Sequence, residues 1–258
     1  MIVNNLCGGL GNQLFQIATG HTLANDNNDE YGINYELKHN LIQGHPKVKY
    51  RNTLFKNIPV TTQVPANLYQ EPNFHYSPIP YENNLLINGY LQSPKYFEHN
   101  KDDVKSLFTF PDEAKQKVDK AVAKVREKYD TVIGVHVRRG DYLLNPQIHP
   151  TCTVDYYKEA IEELGDDNSL CIVCTDTPEW VGQNLCNDTV ILSNSVDELE
   201  DLYLLTLCDH VILSNSTFAW WGAWLNENKP TVIAPEIWFG PEGPQDYYDI
   251  YCDDWIKR

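Results

Sequence analysis

The chain has 258 residues, of which 42% are hydrophobic, 12% aromatic and 22% charged, which supports a sizeable core and rules out a disordered or fibrous chain. Lys and Arg number 20 against 36 Asp and Glu, a formal net charge of −16, so the overall field repels nucleic acid and anionic lipid, and any bound phosphate needs a local basic pocket. No stretch approaches the roughly 20 apolar residues of a membrane span. Residues 1–6 offer neither a basic leader nor a long apolar core, so a cytoplasmic chain without signal peptide or membrane anchor is expected. Seven cysteines, an odd number, are expected as reduced thiols. Cys171 and Cys174 form a lone CxxC inside an apolar run, where strand geometry sends positions i and i+3 to opposite faces. The histidines show neither HxxxH nor HxH spacing, so no protein-built metal site is expected.

Apolar residues 2–6 read as a short strand running into the glycine turn Gly8-Gly9-Leu10-Gly11, after which Leu14, Ile17, Ala18 and His21 recur at helical spacing. From about residue 30 to 110 the chain is rich in Asn, Pro and Tyr, and mixed short elements are expected. Pro111 and Asp112 open an amphipathic helix with Asp112 as cap and Ala114, Val118, Ala121, Val122 and Val125 as its apolar stripe. Strands at 131–137, 169–175, 189–192, 210–213 and 231–234 then alternate with helices near 155–164 (stopped by Gly165), from Pro178, near 197–208 and near 217–226. The strand at 231–234 closes the series. Continuous apolar strands alternating with amphipathic helices predict an α/β domain with a parallel sheet covered on both faces.

Open parallel sheets bind ligands at the carboxyl ends of their strands. Three polar groups are predicted there: His136-Val137-Arg138-Arg139-Gly140-Asp141-Tyr142, then Thr175-Asp176-Thr177, then Ser214-Asn215-Ser216-Thr217 opening a helix whose amides and dipole favour an anion. Two arginines, a carboxylate and a helix N-terminus suit a phosphate-bearing ligand such as a nucleotide. Other readings stay open at this point. Arg138 and Arg139 could form a surface ion-pair set with Asp141, and Asp176 could cap the helix that begins near Pro178. Residues 214–217 are expected to cap their helix in any event. Phe218, Trp220, Trp221 and Trp224 read more readily as core than as a sugar platform. Gly9-Leu10-Gly11-Asn12-Gln13-Leu14 begins like a dinucleotide fingerprint with Asp29 downstream, but Leu14 stands where the third small residue belongs, which weakens an oxidoreductase reading.

Four blocks together closely resemble glycosyltransferase family 11, the α-1,2-fucosyltransferases. They are Gly8-Gly9-Leu10-Gly11-Asn12-Gln13-Leu14-Phe15-Gln16, residues 89–97 (Gly-Tyr-Leu-Gln-Ser-Pro-Lys-Tyr-Phe), residues 136–142, and Ser214-Asn215-Ser216-Thr217-Phe218-Ala219-Trp220-Trp221-Gly222-Ala223-Trp224-Leu225. The resemblance implies a GT-B-like fold of two Rossmann-like domains facing a cleft, 1–110 on the acceptor side and 111–258 binding GDP-fucose, the last roughly twenty residues packing back on the first domain. It implies GDP-L-fucose as donor substrate, a glycan acceptor, inversion at the anomeric carbon and no further cofactor. Carried over, Arg138 would contact the diphosphate with Arg139 and His136 beside it. Asp176 and Ser214, Asn215, Ser216, Thr217 and Phe218 would surround the nucleotide. Gly11, Asn12 and Gln13 belong to the loop that would face the donor, Asn12 being able to orient a hydroxyl. The sequence contains no D-x-D pair, so a metal-independent reaction is expected, with Arg138 taking the charge a metal would otherwise neutralise. Asp141 and His136 are the nearest candidates for a base. The competing readings are a fucosyltransferase of another linkage and a non-catalytic nucleotide- or glycan-binding module. An aromatic-rich segment from Tyr69 to Phe110, including Tyr90, Tyr96 and Phe97, is a candidate for part of the acceptor side.

Overall fold

The computed structural model describes residues 1–37 and 48–258; the part of the 30–110 stretch that falls on residues 38–47 lies outside the described residues. The chain divides into two compact units, Met1–Pro111 with Asp246–Cys252 and Asp112–Gln245 with Asp253–Arg258. Both are built on parallel sheets with helices.

In the first unit β1 (Ile2–Asn4) runs through the glycine turn into α1 (Leu10–Asp26), followed by β2 (Tyr31–Ile33), β3 (Asn67–Gln70), β4 (Leu85–Asn88) and α2 (Lys101–Leu107). The strands lie in the order β2-β1-β4-β3, and every pair is parallel. Leu14, Ile17 and Ala18 are fully buried, as their spacing predicts. Among the described residues the expected mixed elements are three strands of three or four residues, two 3-10 turns at Pro94–Tyr96 and Glu98–Asn100, and α2. Segments that short carry no periodicity to read.

The second unit opens with α3 (Asp112–Arg126) and continues β5 (Thr131–Val137), α4 (Val154–Leu164), β6 (Ser169–Thr175), α5 (Pro178–Asn184), β7 (Val190–Leu192), α6 (Glu198–Leu205), β8 (His210–Ile212), α7 (Thr217–Trp224), β9 (Thr231–Ala234) and β10 (Ile256–Lys257). β5 and β6 fall on their predicted residues. Asp112 is the first helical residue of α3, and Ala114, Val118 and Val122 are buried while Ala121, which shares their helical spacing, is exposed. The sheet does not close at β9: two residues at the chain's end add a further parallel strand beside it, too short to show in the pattern.

The six strands run β10-β9-β8-β5-β6-β7. Renumbered within the unit this is the doubly wound order 3-2-1-4-5-6, whose direction of winding reverses between β5 and β8. Alternation along β5 divides its side chains. Ile133, Val135 and Val137 join Cys171, Val173, Tyr157, Ala160, Val181 and Leu185 in one core. Gly134 faces Leu205 and Cys208 on the other side, and the period of two puts His136 on that side as well. Cys171 lies in the first core while Cys174 turns to Asp201 on α6, so the CxxC does not form a pair, and all seven cysteines are thiols. Among the described residues no helix is long and apolar enough to cross a membrane.

Candidate functional site

The reversal point of the second sheet lies where β5 and β8 end side by side. His136, the penultimate residue of β5, is buried, its Nδ1 sits 2.7 Å from Ser214 Oγ at the end of β8, and its ring lies 5.4 Å from that of Phe218. Burial holds the imidazole down to about 3, with the positive charge of Arg138 adding to the effect. The neighbouring strand ends are therefore latched by a neutral histidine.

Beyond β5 the backbone leaves the sheet and presents both arginines. The Arg138 guanidinium bonds Asp141 Oδ1 at 2.7 Å and Asp176 Oδ2 at 3.2 Å, lies over the Tyr142 ring, and remains 35% exposed. Arg139 donates its backbone N–H to Asp176 Oδ1 at 3.0 Å and stacks its guanidinium 4.0 Å from the Trp180 ring centroid. Asp176 thus holds the turn after β5 from the end of β6. It does not cap α5, whose preceding residue is Thr177 and whose first turn has no side-chain cap. Gly140 makes this possible, since a Cβ there would stand 2.6 Å from Asp176 Oδ2. Tyr142 donates its hydroxyl to the Asn215 carbonyl at 3.0 Å and stacks on His149 at 4.7 Å.

The turn after β8 divides by role. Asn215 donates both amide hydrogens inward, to the carbonyls of Pro150 and Trp238 at 2.9 Å each, so its side chain braces the loop. Ser216 occupies the cap position of α7 with extended backbone and makes no side-chain cap bond, contrary to expectation. Thr217 and Phe218 open the helix half-buried. Trp220, Trp221 and Trp224 are core, as the core reading expects.

In the first unit β1 and β4 lie side by side at the centre of the sheet, and the glycine turn follows β1. Gly8 adopts φ +74, where a Cβ would strike Asn12, which fixes glycine at the turn. Gln16 accepts from the Cys7 N–H and Gln13 donates to the Gly8 carbonyl, both at 2.9 Å. Gly11 is buried beside them. Asn12 Oδ1 accepts from Gln92 Nε2 at 2.9 Å, so the glycine turn and the 89–97 block meet at this point. Asp29 pairs with the Met1 amino group at 2.8 Å, a partner unrelated to a ribose. Phe97 is buried against Phe15, and Tyr96 is buried with its hydroxyl accepting from the Ser77 N–H at 3.1 Å, so these two rings are core. Tyr90 remains half-buried. Among the described residues no group of three or more His, Cys, Asp or Glu could hold a metal ion.

The family described as Glycosyl transferase family 11 matches residues 4–258. The chain belongs to that family. Family 11 membership confirms the likeness carried by the four blocks. An α-1,2-colitosyltransferase of Escherichia coli is 27% identical over all of this chain and 98% of its own length. The galactoside α-(1,2)-fucosyltransferase 2 of Oryctolagus cuniculus is 25% identical over 89% of this chain and 68% of its own. The crystal structure of NodZ α-1,6-fucosyltransferase soaked with GDP-fucose superposes with a TM-score of 0.61 at 16% identity, over 92% of this chain and 95% of that one. That neighbour supports the GT-B type of α/β fold for this family 11 chain.

One residue of the family 11 chain gave no signal in its sequence. Glu71 follows β3, a strand exposed at three of its four positions, so neither alternation nor a motif marks it. Its carboxylate accepts from the N–H groups of Tyr90 at 2.7 Å and Leu91 at 3.0 Å, within the 89–97 block.

The state of His136 makes a testable statement about acid. An unfolded imidazole takes up its proton below about pH 6.5, whereas the folded one stays neutral down to about 3. Between those values the unfolded state binds more protons, so stability falls as pH falls, with this residue's share of the slope approaching about 1.4 kcal/mol per pH unit. Urea unfolding from pH 7 to pH 5 is expected to show that dependence reduced by this share in His136→Gln, whose amide still reaches Ser214. An unchanged slope in the variant would show that His136 is not held neutral.

Proposed function

We propose that this chain is an inverting, metal-independent galactoside α-1,2-fucosyltransferase that moves L-fucose from GDP-fucose to the 2-hydroxyl of a terminal galactose, the second unit binding the donor and the first the acceptor. The observation that carries the reading is the placement of Arg138 at the β5–β8 reversal point, the position where doubly wound sheets hold nucleotides, in a chain of glycosyltransferase family 11. Arg138 takes the charge that develops on the departing diphosphate, and Arg139 stands beside it. A guanidinium is always charged and binds phosphate oxygens two at a time. Asp176 keeps both arginines in place, while Asp141, 63% exposed, yields Arg138 to the incoming phosphate. The turn from Ser214 to Phe218 lies at the start of α7, where helix polarity favours an anion. His136 positions Ser214 in that turn, and Asn215 fixes the loop from within. In the first unit Gly11 and Gln13 are donor-binding residues, and Asn12 orients a hydroxyl.

A second reading has its own support. The E. coli relative named α-1,2-colitosyltransferase matches this chain end to end, so a colitosyl donor is the main competitor at the same linkage. Incubation with GDP-fucose and a β-galactoside in excess EDTA, followed by NMR of the product, is expected to give an α linkage at O2. Fucose on O3, O4 or O6 overturns the linkage and leaves the donor. Activity lost to EDTA and restored by Mn²⁺ overturns the metal-independent mechanism. Turnover only with the colitosyl donor transfers the assignment to the second reading.

A further inference from the structure

The reaction proposed above needs a group to receive the acceptor's proton, and the nearest candidates at the donor side are already engaged. His136 is buried, neutral and bonded to Ser214. Asp141 is exposed and its carboxylate is engaged by Arg138.

The first unit holds a carboxyl of a different kind. Glu71 stands just past the carboxyl end of β3, and its two oxygens accept one N–H each from Tyr90 and Leu91, just past the end of β4. Those residues lead directly to Gln92, which bonds Asn12 of the glycine turn. The side-chain carbonyl oxygens of Gln92 and Gln13, both in buried residues, have no partner among the described residues. Two such acceptors with no donor match the hydroxyl-rich chemistry of a sugar. Leu91 is held at φ +57, a conformation a bulky residue keeps only when its surroundings impose it. The Glu71 carboxylate is one of those surroundings, so the turn and the carboxyl are built as one piece.

We propose that Glu71 is the catalytic base of this chain, receiving the proton of the acceptor hydroxyl; the proposal rests on the fucosyl-transfer reading above. The acceptor's O–H bond breaks and its proton passes to the carboxylate. The oxygen's electron pair forms the new bond to the anomeric carbon. The bond from that carbon to the diphosphate breaks, and its electrons leave with GDP. Glu71 then releases the proton to water, and the cycle is balanced without a co-reactant.

The surroundings suit the task. Burial, with the negative charge of Asp246 adding to it, raises the Glu71 carboxyl to about 7 despite the two N–H donors. The other titratable groups that feel its charge are Cys7 after β1, Tyr69 on β3, Tyr90 after β4 and Tyr96 in the 3-10 turn. Asp246 is itself bonded to His75 at 3.0 Å. A carboxyl poised near neutrality accepts a proton far more readily than an ordinary surface glutamate.

Glu71→Gln and Glu71→Ala test the assignment. Wild-type kcat/KM for transfer is expected to rise with pH through a limb near 7. Both variants are expected to lose about 10²–10⁴-fold in kcat, to bind GDP-fucose as tightly as wild type, and to show no such limb. Added formate, a small carboxylate that can occupy the vacated space, is expected to restore part of the activity of Glu71→Ala and none of that of Glu71→Gln. A clamp that only holds the 89–97 turn predicts the contrary: a raised acceptor KM or a lowered Tm, an unmoved pH limb and no rescue by formate. That pattern, or transfer by Glu71→Gln within a few-fold of wild type, overturns the proposal while leaving the fucosyl-transfer reading intact. Failure of the wild-type chain to bind or turn over GDP-fucose overturns both. The carboxyl of ¹³C-labelled Glu71 is expected to titrate near 7 in the wild-type chain, and titration near the ordinary value for glutamate overturns the proposal independently of activity.

Discussion

Arg138→Ala is expected to lower the transfer rate about 10²–10³-fold, roughly 3–4 kcal/mol in the barrier, as removal of one preorganised donor from a developing oxyanion does elsewhere. Its effect on stability should be small. The guanidinium is one-third exposed and its bonds to Asp141 and Asp176 are partly open to water, a setting in which ion pairs contribute about 0–1 kcal/mol. Arg138→Lys keeps the charge and loses the fork, so it cannot hold Asp176 and two phosphate oxygens together, and it is expected to recover little of the rate. The measurement is kcat and KM for GDP-fucose beside a thermal melt. A drop in kcat with an unchanged Tm supports the assignment. Turnover by the alanine variant within a few-fold of wild type would reject it.

The sequence already placed that arginine at a strand end because β5 and β6 are seven-residue apolar runs. A buried parallel strand reads as a near-continuous apolar run, which marks its limits. The same reasoning located Ser214 and Asp176, but it could not decide between capping and bracing. That choice depends on where a side chain turns by a few ångströms, and Asp176 turns to the Arg138–Arg139 pair, away from the first turn of α5. Legibility failed where elements are short or lie on the surface. β10 has two residues, and β3 is exposed at three of four positions, so neither repeats long enough for a period to emerge. Glu71 was hidden for this reason: its importance comes from contacts with Tyr90 and Leu91, nearly twenty residues away, and no local pattern encodes them.

Trp220→Ala is expected to remove about 3–5 kcal/mol from the stability of the second unit. The side chain is fully buried, and its ring lies 5.1 Å from Trp221, 6.0 Å from Trp224 and 5.4 Å from Trp255. Trp255 immediately precedes β10, the edge strand beside β9, so the one ring ties α7 to the end of the chain. Truncation therefore leaves a cavity lined by rigid rings, which collapse poorly and put the loss toward the upper end of the range. At about 2–4 °C per kcal/mol for a unit of this size, the melting transition should fall by about 6–20 °C. Trp220→Phe keeps an aromatic contact and fills most of the space, so it should lose markedly less. The variant also bears on function, because α7 begins at the Ser214–Phe218 turn and its axis is set by the buried tryptophan face. If the turn is positioned by that packing, GDP binding measured well below the lowered Tm should weaken in Trp220→Ala while Arg138 and Asp176 are untouched. Unchanged GDP affinity in a folded Trp220→Ala chain would show that the His136–Ser214 contact and the inward bonds of Asn215 hold the turn without the helix behind it.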